Sequence, residues 1–480
     1  MQTTGISVSS FMSEFCSEAK YQIKGNKDAL FSGLHAALAR HRDGLFYVVA
    51  DKSWPKTLLK RQQDVSIEKL IQKALSRGFD SFVVPSEYKD TVISIQGVKS
   101  LIVIDDTWPF FLNVSSYIRD KSGCRVFAVT GSAGKTSTCD MLKLALKDEY
   151  DERLYVPEGI NSNLFRDSVS SMSRLFGYEA AILEVSASKQ FTKSNFFVTP
   201  DVAIFTALSE AHAQYLGSIK DIAITKSTLF NGMPVDGRIV LNLDMPCSDV
   251  VYEIAKHNVD NVITYGESDA ADVKLVAHDL KNGTAEVSYF GKHIVFKTNL
   301  KSKHMLLNSI AVITSICNTE QNWENVSNKL LSFLPSKGRG ATHDVKIKGK
   351  SLTIIDESYN SNLASVKASL DSLSGFETSS KGKRIAILGD MLELGDASKS
   401  LHKELAALIN DSSADKVILI GSDVAEAWGD IKLNKKIALL PDTKGLLTIL
   451  RNNSSDGDVV LFKASNAIGL GKVVNRLLKI

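Results

Sequence analysis

From Val126 onward, short apolar runs alternate with segments of helical periodicity, and this alternation limits the possible folds more than any other feature of the sequence. Parallel strands need a crossover between them, usually a helix, and strands covered on both faces read as continuous apolar runs. The first series of predicted strands comprises RVFAVTG (125–131), AAILEVS (180–186), DVAIFTAL (201–208) and RIVLNLD (238–244). The pattern therefore predicts an α/β protein with a parallel sheet.

The rest of the chain divides into further units. Polar and apolar residues alternate over 272–300 around Asn282-Gly283, which predicts antiparallel strands joined by a hairpin. A helix over 304–317 follows, and the Gly- and Pro-containing stretch 334–344 indicates a hinge or boundary. A second α/β series then begins, with strands at 351–358, 383–390, 416–422, 436–441 and 458–465. Together with GLFYVVAD, DSFVVPS and SLIVIDD near the start, this predicts three domains: 1–122, 123–338 and 339–480.

Composition excludes several classes of protein. The 480 residues are 44% hydrophobic and 23% charged, which is typical of a globular chain, and the net charge of +3 gives no reason to expect a nucleic-acid partner. Five widely spaced cysteines without a C-x-x-C pair argue against a zinc ribbon or a disulfide framework and favour a reducing compartment. No signal-peptide pattern and no apolar run near 18 residues is present. We expect a cytoplasmic monomer that binds small molecules and no membrane.

The stretch VFAVTGSAGKTSTCDML (126–142) has the components of a phosphate-binding loop. The usual pattern G-x-x-x-x-G-K-[ST] would place its first glycine at 129, where this chain has Val129; the glycine stands instead at Gly131. A loop of this kind needs inward backbone N–H groups, a lysine for the phosphates and a hydroxyl for Mg²⁺. Gly131 and Gly134 permit the turns, Lys135 supplies the charge and Thr136 the hydroxyl, between a predicted strand and a predicted helix.

The shifted form T-G-x-x-G-K-T-[ST] resembles the loop of the Mur ligase family, the ATP-dependent amide-forming enzymes of cell-wall synthesis. The resemblance implies a three-domain α/β architecture with a central P-loop ATPase domain and a C-terminal doubly wound, Rossmann-like domain. It implies ATP and Mg²⁺ as cofactors. The loop residues that it assigns to nucleotide binding are Gly131, Ser132, Ala133, Gly134, Lys135, Thr136 and Ser137.

Further segments match the family in order. LEVSAS (183–188) is similar to the strand that ends in a Mg²⁺-binding glutamate, here Glu184. In FTALSEAHAQYLGSIKDIAITKSTLF (205–230), His212, Gly217 and Lys226 match the family's histidine, glycine and lysine, and the resemblance implies that the lysine is carbamylated and becomes an anionic metal ligand. The metal set is thus Thr136, Glu184, His212 and Lys226. HMLLNSIAV (304–312) resembles H-N-x-x-N before the adenine pocket, with His304 and Asn308 matching and Met305 differing; Arg339 takes the place of the linker arginine that reaches the phosphates.

The C-terminal segments IIDESYNSNLASVKASL (354–370) and GDMLELG (389–395) resemble the branch of the family that adds D-alanyl-D-alanine. Glu357 takes the place of the ribose-contacting acid, usually aspartate, and Tyr359 joins the nucleotide site. Asn360 and Asn362 would contact the amine substrate or nucleotide, or cap the following helix. Asp390 and Glu393 would face the incoming amine or support their loop. Three features depart from the pattern of this branch. Asn466 stands where the branch has arginine, and LEVSAS is closer to the diamino-acid-adding branch. The first 120 residues lack the usual D-S-R uridine-nucleotide segment.

The chemistry implied is ATP-dependent activation of a carboxylate as an acyl phosphate, followed by attack of an amine. The catalytic set is Lys135, Glu184, His212, Lys226 and Arg339. The substrates would be a carboxylate acceptor, such as a UDP-linked muramoyl peptide, and an amino acid or dipeptide. The reaction would belong either to cell-wall synthesis or to a specialised pathway that reuses the fold. Two alternatives stay open: a P-loop ATPase or kinase that forms no amide, and a non-catalytic nucleotide-binding scaffold.

Overall fold

The computed structural model describes residues 6–15, 21–36, 44–59, 65–157, 164–186, 198–209, 217–317 and 319–479. Residue contacts divide the chain into two compact units. Unit 1 comprises residues 1–129, 146–203 and 228–237, and unit 2 comprises 130–145, 204–227 and 238–480. No helix among the residues in these described ranges is long and apolar enough to cross a bilayer.

The first part of unit 1 is built on a five-stranded sheet with the order β2-β7-β6-β5-β4. Neighbours from β4 to β7 run parallel, and β2 is antiparallel to β7. Its strands and the separate antiparallel pair β1-β3 are β1 Ile6–Ser7, β2 Gln22–Gly25, β3 Leu30–Phe31, β4 Gly33–His35, β5 Leu45–Val48, β6 Ser81–Val84 and β7 Ser100–Val103. The helices are α1 Val8–Phe15, α2 Lys56–Leu59, α3 Ile67–Leu75, α4 Lys89–Ile93 and α5 Thr107–Lys121. The three apolar runs identified near the start of the sequence are thus strands.

The second sheet has nine strands in the order β16-β15-β14-β13-β12-β11-β8-β10-β9. Its strands are β8 Arg125–Thr130, β9 Leu154–Tyr155, β10 Ala180–Glu184, β11 Val202–Phe205, β12 Arg238–Asn242, β13 Asn261–Gly266, β14 Val273–Asp279, β15 Thr284–Tyr289 and β16 Lys292–Lys297. The helices are α6 Lys135–Tyr150, α7 Phe165–Met172, α8 Ile219–Ser227, α9 Ser248–Lys256, α10 Lys303–Ile316 and α11 Glu320–Leu330. The predicted antiparallel strands over 272–300 are confirmed as β14, β15 and β16.

The third sheet, in unit 2, has the order β17-β18-β22-β19-β20-β21. All neighbours are parallel except β17 and β18, which are antiparallel. The strands are β17 Ala341–Ile347, β18 Lys350–Glu357, β19 Arg384–Gly389, β20 Lys416–Ile420, β21 Lys436–Leu440 and β22 Asp458–Lys463. The helices are α12 Leu363–Ser372, α13 Ser398–Asp411, α14 Ala425–Trp428, α15 Leu446–Asn453 and α16 Leu470–Leu477. Short 3₁₀ helices span Ser86–Tyr88, Asp151–Arg153, Thr228–Phe230, Leu373–Gly375, Gly395–Ala397, Leu433–Lys435 and Asn466–Ile468.

Both faces of this third sheet are covered by helices, as in a doubly wound domain. Side chains alternate between the faces of a strand, and β19 shows the result. Ala386 and Leu388 pack in one apolar cluster, whereas Ile385 and Ile387 pack in the other. The predicted α/β fold with a Rossmann-like C-terminal domain is confirmed. The strands β1, β2, β3, β4, β9, β13 and β17 were not predicted, and β17 begins inside the stretch expected to be a hinge.

We expect Ile387→Ala to destabilise the third sheet by about 2–5 kcal/mol, because the isoleucine side chain is fully buried and its truncation leaves a cavity in the core. Hydrogen exchange of the β19 and β22 amides measures the free energy of opening locally, which suits a chain with more than one domain. Leu433→Ala is the control, since that leucine is 85% exposed. Similar protection in both variants would contradict the assigned core.

Candidate nucleotide site

The loop between β8 and α6 has the backbone that a tightly turned phosphate loop requires. Gly131 has φ 148° and Gly134 has φ 83°, both in the region that favours glycine. A Cβ at Gly131 would lie 2.0 Å from Thr206 Oγ1, and one at Gly134 would lie 2.8 Å from Asn308 Oδ1. Both glycines are therefore required by the neighbours of the loop, and Val129 belongs to the buried strand before it.

Three residues of the 206–209 segment hold the loop in place. The Thr206 hydroxyl lies 2.6 Å from the Ala133 carbonyl oxygen and 3.1 Å from that of Thr130, in donating distance of both. The Ser132 N–H donates to the Ala207 carbonyl at 2.6 Å, and the Ser132 hydroxyl donates to Ser209 O at 3.2 Å. Thr206 was not singled out in the sequence, because a threonine at the end of an apolar strand carries no motif of its own.

Two lysine ammonium groups meet at this loop. Lys135, the first residue of α6, and Lys226, in the last turn of α8, each donate to the carbonyl oxygen of Gly131 at 2.8 Å. The Lys226 side chain is buried, which is uncommon for a lysine. A phosphate bound by this loop would therefore lie close to both ammonium groups.

The predicted metal ligands are only partly within the described residues. Thr136 follows Lys135 in α6, and Glu184 is the last residue of β10, where it pairs in register with Val129 of β8. His212 lies outside the described residues. Among the residues that are described, no three His, Cys, Asp or Glu side chains form a metal-binding group. Thr136 and Glu184 each carry an oxygen of a kind that Mg²⁺ takes as a ligand in proteins.

A buried charged cluster lies where the adenine and ribose were expected. Glu357 Oε2 accepts a hydrogen bond from Ser369 Oγ at 2.7 Å and lies 3.4 Å from Lys463 Nζ, while Oε1 is 3.8 Å from His304 Nε2. Lys463 also donates to the Asn360 carbonyl at 3.0 Å. The Nδ1 atom of His304 is buried and has no hydrogen-bond partner, so it is a polar atom that a ligand would satisfy.

Burial and charge shift all three pKa values of this cluster. Burial lowers the pKa of His304, so its imidazole is neutral at pH 7. Burial alone would raise the pKa of Glu357, but Lys463 and His304 bring it below its ordinary value. Burial also lowers the pKa of Lys463, against the opposing effect of Glu357. Lys463 and Ser369 were not predicted as members of the site. Lys463 is the first residue of the KASNAIGL string, in which only Asn466 was discussed as a departure from the family pattern.

Arg339 and Tyr359 lie together beside this cluster. The Arg339 guanidinium carbon is 3.9 Å from the centre of the Tyr359 ring, a cation–π contact. The turn that carries Arg339 is fixed to the end of β18, because Gly338 N–H donates to Asp356 Oδ2 at 2.9 Å and Gly340 N–H to Asp356 O at 2.8 Å. Arg339, predicted to contact phosphate, thus lies against Tyr359, predicted to contact the nucleotide.

The residues predicted for the amine have largely structural contacts. Asn362 is the N-cap of α12 and forms a capping box with Ser365, so the predicted helix-cap role is confirmed. The Asp390 carboxylate accepts the N–H groups of Ser422, Asp423 and Val424 at 2.8–3.1 Å, which is the loop-supporting alternative. Glu393 is exposed with φ 66°, and the Asn360 carbonyl binds Lys463.

Comparison with known proteins places this site in a family. Residues 129–316 match the model of the Mur ligase middle domain, and residues 344–466 match that of the Mur ligase, glutamate ligase domain. The chain is 30% identical over 390 residues to the UDP-N-acetylmuramoyl-tripeptide–D-alanyl-D-alanine ligase of Bacillus subtilis, covering 79% of this chain and 81% of that protein. The Rickettsia prowazekii enzyme of the same name is 25% identical over 478 residues, covering 98% and 97%.

Solved structures agree in fold. A crystal structure of MurF from Acinetobacter baumannii superposes with a TM-score of 0.78 at 17% identity, covering 99% of both chains. MurF ligase from Thermotoga maritima, crystallised in complex with ADP, gives a TM-score of 0.71 at 22% identity, covering 95% of this chain and 99% of that one. At these identities the structural matches support the three-sheet architecture.

We expect Gly131→Ala to weaken nucleotide binding at least about tenfold, because the added methyl would displace Thr206 and the loop that it holds. Binding of a fluorescent ATP analogue measures the effect. Gly291→Ala is a matched control: that glycine also has a positive φ, 82°, but nothing lies within 4 Å of an added Cβ. Equal loss of affinity in both variants would indicate general backbone strain and contradict the role of the loop.

We expect Glu357→Gln to cost about 3 kcal/mol at pH 7, because it leaves the buried Lys463 without its counter-charge. The pKa of Glu357 is below its ordinary 4.5 in the folded protein, so its stabilising contribution is present above pH 4.5 and lost as the pH falls through the folded value. Urea unfolding at pH 7 and at lower pH should therefore show the two proteins converging on acidification. The exposed Glu377→Gln, whose partner is Lys281, should change little at either pH.

Proposed function

This chain belongs to the Mur ligase family, and from that premise we propose that it joins D-alanyl-D-alanine to a UDP-N-acetylmuramoyl-tripeptide with hydrolysis of ATP to ADP and phosphate. The observation that carries the proposal is the convergence of Lys135 and Lys226 on the Gly131 carbonyl inside a glycine loop. The relatives from Bacillus subtilis and Rickettsia prowazekii, which are named for this reaction, support the choice of substrates. By family membership we place the enzyme in the cytoplasm.

The reaction needs an activated carboxylate, since oxide is too poor a leaving group for an amine to displace. A carboxylate oxygen of the acceptor attacks the γ-phosphorus, the bond to the β–γ bridging oxygen breaks, and ADP leaves. The amine nitrogen then attacks the carbonyl carbon of the acyl phosphate, phosphate departs with the former carboxylate oxygen, and the nitrogen loses a proton. Most of the catalysis in such a transfer is positioning and charge neutralisation.

Each part of the chain has a proposed task in these steps. Lys135 and the loop N–H groups hold the β- and γ-phosphates, and Arg339 brings a further positive charge to them. Thr136, Glu184 and His212 would hold Mg²⁺, which neutralises phosphate charge when bound. His304, Glu357 and Tyr359 would bind the adenine and ribose, the buried Nδ1 of His304 being a polar atom available to the nucleotide. Asn308 packs on Gly134 and positions the loop.

We also propose that Lys226 is carbamylated. The neutral ε-nitrogen adds to the carbon of CO₂ and loses a proton, giving an anionic carbamate with two oxygen ligands. The Lys226 nitrogen is buried and lies 2.8 Å from the Gly131 carbonyl oxygen, so a carbamate there would supply anionic oxygen ligands beside the phosphate loop. A ¹³C carbamate signal after incubation with labelled bicarbonate, absent from Lys226→Arg, tests it independently of turnover.

The decisive experiment measures ADP, phosphate and amide product across a panel of carboxylate acceptors crossed with amino acids and dipeptides. The expected result is stoichiometric ADP and amide only when the UDP-linked muramoyl tripeptide and D-alanyl-D-alanine are both present. Turnover with a different pair would keep the ligase chemistry and replace the substrates. ATP consumption that does not depend on any amine would favour an ATPase or kinase and overturn the proposal.

We expect Lys135→Met to lower kcat about a hundredfold or more, because a positive charge is lost from the phosphates in the transition state. Lys143→Met removes the same charge from the exposed face of the same helix and serves as the control. Steady-state ADP release with both substrates measures the two variants. Equal kcat values for Lys135→Met and Lys143→Met would show that the loop is not the catalytic phosphate site.

A further inference from the structure

The loop after β19, residues 390–394, lies at the carboxyl edge of the third sheet and has no part in the steps above. Lys463 of β22 is paired in register with Glu357 of β18 on one side and with Leu388 of β19 on the other. The loop begins just after Leu388, so it continues the row of strand ends that includes the buried Glu357–Lys463 pair. Open α/β sheets bind ligands at this edge. The loop thus lies beside the strand ends that carry the candidate nucleotide site.

The 390–394 loop exposes two side chains between two that are buried. Met391 and Leu394 pack in an apolar core cluster, whereas Leu392 and Glu393 are exposed. Glu393 has φ 66°, a left-handed conformation that a residue with a side chain rarely adopts. Conformations of this kind persist where the surrounding structure holds them, and they are concentrated at functional sites. The conformation of Glu393 therefore indicates that neighbouring groups fix the loop.

Hydrogen bonds of three consecutive backbone N–H groups fix the loop to three neighbouring elements. The Asp390 N–H donates to a carbonyl oxygen of β20 at 3.2 Å. The Leu392 N–H donates to Ser465 Oγ, just after β22, at 2.9 Å. Between them, the Met391 N–H donates to Nε2 of His402 in α13 at 3.0 Å. His402 therefore connects the loop to the helix that covers the sheet.

The two ring nitrogens of His402 have different partners, and these partners assign the hydrogen of the imidazole. Nδ1 lies 2.8 Å from the Ser398 carbonyl oxygen, which can only accept, so Nδ1 carries the hydrogen. Ser398 Oγ lies 3.2 Å from Nδ1 and donates its own hydrogen to Asp423 Oδ2 at 2.8 Å, so it too can only accept from Nδ1. Nε2 is then the acceptor of the Met391 N–H. Because the His402 side chain is fully buried, this bond is made away from water.

We propose that His402 is a positioning residue for the amine substrate. Its Nε2 holds the Met391 N–H and thereby fixes the loop that presents Leu392 and Glu393 to the amine. The Glu393 carboxylate suits the amino group of a dipeptide through a charge-assisted hydrogen bond, and Leu392 suits its methyl side chains. His402 acts on the amine only through the loop. The inference rests on the proposed function, which supplies D-alanyl-D-alanine as the amine.

Two substitutions of His402 separate its two hydrogen bonds. Glutamine places an amide oxygen near the position of Nε2, whereas asparagine places an amide N–H near that of Nδ1. We expect His402→Asn to raise the KM for D-alanyl-D-alanine about tenfold or more, with the KM for ATP and kcat changed less than about threefold. His402→Gln should stay within about threefold of wild type in all three constants. His257→Asn is the control, because exposed His257 contacts the Glu253 carbonyl four residues earlier in the same way.

Hydrogen exchange of the Met391 amide reports the loop contact without turnover. We expect its protection to fall in His402→Asn and to persist in His402→Gln, while the β19 amides stay protected in both. Equal KM values for the amine in the two variants, or Met391 protection that does not depend on residue 402, would overturn the positioning role. Loss of β19 protection in both variants would make His402 a core residue only and overturn it as well.

The wild-type assay separates this inference from the proposed function. ATP turnover by the wild type that no amine changes would overturn the proposed reaction and the positioning role together. Amine-dependent wild-type turnover with an unchanged amine KM in His402→Asn would overturn the positioning role alone.

Discussion

The nucleotide site depends on the packing of the Thr206 hydroxyl against the loop that follows β8. This hydroxyl lies within donating distance of two loop carbonyl groups and fills the space that a side chain at Gly131 would need. Because the loop is turned in this way, the Gly131 carbonyl lies within reach of both Lys135 and Lys226. The convergence of the two lysine side chains on this carbonyl therefore depends on one hydroxyl and on the absence of a Cβ at Gly131. In this loop the first glycine is Gly131, two positions later than in the usual pattern, so Val129 remains in the strand.

The third sheet contains a buried network of charged side chains that the strand register holds in place. Glu357 and Lys463 are paired residues of the parallel strands β18 and β22, so strand register brings the carboxylate and ammonium together. Burial of such a pair is tolerated only when the remaining hydrogen-bonding capacity is used, and Ser369 and the Asn360 carbonyl use it here. The longer side chain of glutamate, where the related branch has aspartate, is already engaged in this network. The proposed nucleotide contact and the stability of the domain thereby depend on the same carboxylate.

The N-terminal part of unit 1 has a different relation to the family pattern. Its sequence lacks the D-S-R segment that the family resemblance predicts there, and its sheet is joined to α7 through the Ser173 hydroxyl, which bonds both polar groups of the Leu34 backbone. Ser173, which follows α7, lies more than a hundred residues after Leu34 in the chain. Substrate choice is the aspect of the enzyme that is least accessible from local motifs.

The sequence by itself determined the α/β class, the antiparallel strands around Asn282-Gly283, the doubly wound third sheet and the phosphate loop, because these depend on local periodicity, turn residues and short spacings. It did not determine β13, the antiparallel strand β17, or whether Asn362 and Asp390 bind a ligand or support the backbone. Only the tertiary structure decided that Asn362 caps a helix, that the Asp390 carboxylate is occupied by three N–H groups, and that Lys463 joins Glu357. Those outcomes depend on which residues distant in sequence come into contact in the protein interior, where an unpaired polar atom raises the free energy of the folded state. A local sequence pattern does not contain that information.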